Sequence, residues 1–103
     1  MTPLSSMNES YIKRILSTVF DEARPQGLGS MLNKLEQKVE SGSPDLQMVA
    51  HKMVGTAQMV GAIELSKLLR SFEKNPRLDA IPDLRDTYNK TRKHLISEGL
   101  LPL

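Results

Sequence analysis

Apolar residues recur every three or four positions in five successive segments of this chain, each closed by glycine, proline or serine, a spacing that suits helices and not strands. Tyr11, Ile12, Ile15, Leu16, Val19 and Phe20 make the first set, with Asn8 as its N-cap and Pro25-Gln26-Gly27 as its stop. After Gly27 and Gly29, with Ser30 as an alternative cap, Leu28, Met31, Leu32, Leu35 and Val39 make the second, which ends at Ser41-Gly42-Ser43. Glu36 and Glu40 with Lys34 and Lys38 line its polar side. Ser43 followed by Pro44 and Asp45 predicts a capped start to the third helix, which runs to about Gly61. The fourth turns Leu65, Leu68, Leu69 and Phe72 inward and Glu64, Lys67, Arg70 and Lys74 outward, up to Asn75-Pro76. Ile81, Leu84, Tyr88, Thr91 and Leu95 form the last, with Pro82 in its first turn and Gly99 at its end.

Five helices with short connections, no strand signal and no internal repeat predict an all-α fold, an antiparallel four-helix bundle with the N-terminal helix packed across it. Residues 1–7 read as a flexible lead-in or linker and residues 8–103 as one helical domain. Leu46, Met53, Ala57, Leu65, Leu69, Phe72, Leu84 and Tyr88 are expected to be mostly buried. With two Phe, two Tyr and no Trp, the core has to be built from Leu, Ile, Val and Met.

Composition removes several functions. There is no cysteine, which excludes disulfides, thiol catalysis and cysteine-ligated zinc and agrees with a reducing cytoplasm. Fourteen basic and twelve acidic side chains, interleaved along the chain, leave a net charge of +2, so charge alone does not point to nucleic acid or membrane. No apolar run reaches the ~18 residues of a membrane span, and no export signal is expected at the N-terminus. ATP-binding glycine motifs and paired catalytic carboxylates are also missing, so no independent enzyme is expected.

The third segment carries the chemistry. At about 100° per residue, Leu46, Val49, Ala50, Met53, Ala57 and Val60 fall within about 60° of one direction, the expected core face. His51 points about 140° away from Leu46, with Gly55 and Gln58 on nearly the same bearing, so its ring should stand towards solvent. A glycine inside a helix costs about 1 kcal/mol relative to alanine. One turn from His51, Gly55 clears room for a phosphoryl group and for the close approach of another protein. Met48 and Met59 flank that notch as adaptable apolar residues on the outward side, a docking surface.

The run Ala50-His51-Lys52-Met53-Val54-Gly55-Thr56-Ala57-Gln58-Met59-Val60-Gly61-Ala62 resembles the signature of histidine-containing phosphotransfer domains, the HPt modules of bacterial multistep phosphorelays. Leu65, Leu68, Phe72 and Glu73 continue the pattern, and the resemblance covers roughly residues 10 to 97. It implies a helical bundle with the phosphorylated histidine on the second of its four main helices. His51 would accept a phosphoryl group from a receiver-domain aspartate and pass it to another response-regulator receiver, with a hybrid sensor histidine kinase upstream. It implies no cofactor of its own, since Mg²⁺ and the acidic pocket belong to the partner receiver, and a monomeric cytoplasmic protein. Gly55, Gln58 and Lys52 would support the site, and Met48, Gly55 and Met59 would meet the partner. One position departs: the family's lysine three residues after the histidine is Val54 here. Lys52, Lys67 or Arg70 could supply the missing charge. An alternative reading keeps the binding surface alone, as an HPt-like adaptor for receiver or kinase domains that relays no phosphate.

Other residues carry less. His94 lies on the polar side of the last helix and reads as solvated surface. No carboxylate stands three or four residues from His51, so no metal site is expected there. Lys90, Arg92, Lys93 and His94 form the one basic cluster, a solvated helix end and not a nucleic-acid face.

Overall fold

The computed structural model describes residues 9–102. The lead-in at 1–7 and the Asn8 cap lie outside the described residues. Among them are five α-helices, α1 (Glu9–Val19), α2 (Leu28–Ser41), α3 (Leu46–Met59), α4 (Ile63–Lys74) and α5 (Ile81–Ser97), a 3₁₀ turn at Leu78–Ala80, and no strand. α3 and α4 make the closest pair. α2 packs against α3 and α5, and α4 packs against α5.

Each helix buries most of the stripe its periodicity marks, though Tyr11 of α1 is exposed. Leu28, Leu32 and Leu35 of α2, Ala50, Met53 and Ala57 of α3, Leu65, Leu69 and Phe72 of α4, and Ile81, Leu84 and Tyr88 of α5 meet in one core. The two buried alanines let other backbones approach α3 closely. α1 contributes Leu16 and Val19, and Phe20 beyond its end stacks on Tyr88 with ring centroids 5.6 Å apart. Leu46 departs from expectation, being only half-buried, as are Val49 and Val60. Val54 is buried instead, at 6% exposure. α3 is therefore turned so that its inner face is centred near Ala57, with the Val54 flank covered.

The helix starts also differ from the sequence reading. α2 begins at Leu28 with Gly27 in the cap position, so Ser30 lies inside the helix and is not its cap. α3 begins at Leu46 with Asp45 in the cap position and no side-chain cap bond. Ser43, the expected cap, instead donates its hydroxyl to the Asp45 carboxylate, which also receives Lys38 Nζ at 2.9 Å. These two partners, Ser43 first, hold the Asp45 carboxyl below its ordinary range. The carboxylate is thereby spent on tying α2 to the start of α3. Arg85 makes a second tie, from α5 to Glu36 at 2.5 Å and Asn33 at 2.9 Å on α2.

The turn between α3 and α4 sets the site. Gly61 has φ +78°, a left-handed conformation that suits glycine. Ala62 N–H bonds back to Ala57 O at 2.8 Å and Gly61 N–H to Gln58 O at 3.1 Å. The chain reverses within three residues and α4 runs back along α3.

Candidate functional site

His51 stands on α3 with 77% of its side chain exposed. Its Nδ1 lies 2.8 Å from Oε2 of Glu73, a residue near the end of α4 whose side chain is 27% exposed. The hairpin explains the pairing. Ala62 lies eleven residues after His51 and eleven before Glu73, so the two positions face each other across the antiparallel pair. Gln47, one turn before His51, donates its Nε2 to the Glu73 backbone carbonyl at 3.1 Å and fixes the end of α4 against α3.

That contact selects a tautomer. An ionised carboxylate only accepts, so the proton of a neutral His51 ring sits on Nδ1 and the lone pair on Nε2. With Nδ1 directed at Glu73, Nε2 is the atom left to face solvent. The arrangement is that of an oriented nucleophile without a pocket.

The space around the ring is open. A Cβ placed on Gly55 would meet nothing within 4 Å, and Gly55 itself is exposed. Met48 and Met59 are 55% and 50% exposed. Gln58 is exposed and its side chain makes no hydrogen bond among the described residues. On the side of Gly55 away from Glu73, a groove of about 610 Å³ runs between α3 and α2. Val49, Met31 and Met59 give it apolar walls, and Lys34 and Lys52 give it two cations. Thr56 also lines it and donates its hydroxyl to Lys52 O at 3.2 Å. Lys52 thus lines the groove and makes no hydrogen bond to the His51 ring. Lys67 and Arg70 are exposed on α4 and likewise make no hydrogen bond to the ring among the described residues.

Val54 is not part of this surface, because its side chain is in the core. His94 is on the surface of α5, its Nε2 4.0 Å from Glu98. Among the described residues no group of three or more His, Cys, Asp or Glu is gathered to hold a metal ion. No described helix is long and apolar enough to cross a membrane.

Sequence reading named Glu73 as part of the run after His51 but gave it no role. The distance of each from the glycine turn was the signal for it. No protein-family model, curated protein or solved structure matches this chain.

Proposed function

We propose that this domain is a phosphocarrier: His51 accepts a phosphoryl group from an aspartyl phosphate on a receiver domain and passes it to a second receiver. The observation that carries the reading is the exposed imidazole held through Nδ1 by Glu73, with Nε2 outward beside a glycine. In transfer, the Nε2 lone pair attacks phosphorus in line, the aspartyl O–P bond breaks, and its electron pair stays on the leaving carboxylate. The acidic pocket and Mg²⁺ are the partner's contribution, as the HPt resemblance implies. This chain supplies the nucleophile, its orientation and the docking face of Met48, Gly55 and Met59. Lys52, which makes no ion pair among the described residues, is available as a mobile countercharge. We further read α2–α5 as an antiparallel four-helix bundle with α1 across it, and the protein as a cytoplasmic monomer.

The test is incubation with a panel of receiver domains phosphorylated by acetyl phosphate, followed by measurement of acid-labile, alkali-stable phosphate. Wild type should take label and His51→Ala should not. Stable complexes with a receiver but no label on the wild type would support the adaptor reading in its place.

A further inference from the structure

The group that orients His51 also bears on how long a phosphoryl group stays there, an inference about regulation of the same site that rests on the phosphocarrier reading. When Nε2 of an Nδ1-protonated ring bonds to phosphorus, the ring becomes cationic, and Nδ1 then either keeps its proton or loses it to water. Cleavage of the N–P bond returns the bonding pair to Nε2. If Nδ1 still carries its proton, the leaving group is neutral imidazole; otherwise it is imidazolate, a much poorer one.

The Glu73 carboxylate, 2.8 Å from Nδ1, is placed to accept a charge-assisted hydrogen bond from the Nδ1 proton of the phosphorylated ring. The other charged groups around it do not oppose this at contact distance. Lys52 of α3 and Lys34 of α2 line the groove beyond Gly55. Arg70 and Lys74 of α4 are exposed and are not bonded to the ring. Position 54, where the resemblance implies a lysine, is an uncharged core residue. We infer that Glu73, through this contact, holds the Nδ1 proton on a larger fraction of phosphorylated His51 than a ring without such a partner keeps, and so shortens the life of phosphate at this histidine.

The molecule contains its own reference. His94 is 70% exposed and its nearest carboxylate, Glu98, is 4.0 Å away, beyond hydrogen-bonding distance. Phosphoramidate charges both histidines without a protein partner: its N–P bond breaks, ammonia leaves, and the phosphoryl group bonds to the imidazole nitrogen. Loss of each phosphohistidine is followed by ³¹P NMR in wild type and Glu73→Gln. At about pH 8, His51 phosphate in wild type should decay about two- to fivefold faster than His94 phosphate and than His51 phosphate in Glu73→Gln, the effect of a surface charge pair. Near about pH 5, where solvent protonates every ring, the differences should vanish. ¹⁵N NMR of charged wild type at about pH 8 should show a larger protonated fraction at Nδ1 of His51 than at the same nitrogen of His94, a readout that needs no variant to fold. Equal lifetimes at the higher pH, or equal protonated fractions at the two rings, would overturn the inference and leave the phosphocarrier reading to the receiver assay. Label on His94 with none on His51 would overturn both, because both need an accessible Nε2.

Discussion

Two glycines inside helices should respond differently to the same substitution. Replacing a helical glycine by alanine gains about 1 kcal/mol from propensity and lower unfolded-state entropy, provided the new methyl fits. At Gly55 nothing lies within 4 Å of the added Cβ, so Gly55→Ala should keep the whole gain. For a domain of this size that is a rise of roughly 4–8 °C in Tm. At Gly29 the added Cβ would stand 2.9 Å from the Tyr88 hydroxyl and 3.0 Å from Glu22 Cγ. Glu22 is exposed and can give way, but Tyr88 is 3% exposed and stacked on Phe20, so its ring cannot swing aside. Overpacking of that kind costs about 1–3 kcal/mol, so Gly29→Ala should be neutral to about 2 kcal/mol destabilised. Urea and thermal melts followed by circular dichroism measure both. Lost stability in Gly55→Ala would refute the open notch, and a full gain in Gly29→Ala would refute the close contact at Tyr88. If Gly55 is there for access, Gly55→Gln should fold at least as well as wild type and fail in the receiver assay.

Leu69, fully buried, should cost about 2–5 kcal/mol when cut to alanine; His51→Ala should change stability by less than about 0.5 kcal/mol, and comparable losses in urea unfolding would show the imidazole to be part of the packing. Tyr88→Phe should leave stability unchanged or raise it by about 1–2 kcal/mol, because the buried hydroxyl has no hydrogen-bond partner among the described residues. Burial first, and then the Glu22 carboxylate, push the Tyr88 phenol above its ordinary value, so the folded chain keeps a proton that the unfolded chain gives up. Stability should therefore fall as pH rises beyond about 10, the unfolded value, and Tyr88→Phe should flatten that limb of a urea-midpoint against pH profile. An unaltered alkaline limb would dispose of the assignment.

The features legible in the sequence are those fixed by one helix at a time. His51 is exposed because helical geometry sets its bearing relative to the apolar stripe, whatever the stripe packs on. The features that were not legible depend on two elements or on competing partners. Ser43 is a good cap by type, but Asp45 two residues later competes for its hydroxyl, and Lys38 from α2 draws the carboxylate away from the helix start. The role of Glu73 needs the register of the α3–α4 hairpin, which follows from Gly61 only once α3 and α4 are paired.

Val54 joins these two kinds of information. Read from α3 alone it is about 80° from Leu46, on the edge of the core stripe and beside the histidine, where a missing lysine looks like a missing charge. Its burial at 6% exposure places the side chain in the core cluster instead. A lysine there would have to carry its ammonium out along the helix or leave it buried, and burying an unpaired charge costs more than a phosphoryl contact on an exposed face returns. Valine is thus what the α3 packing favours, and it leaves the Glu73 carboxylate as the charged group in contact with the ring. On the phosphocarrier reading, a cation that offsets a phosphoryl group on His51 would come from outside this position, from a flexible side chain such as Lys52 or from the receiver itself.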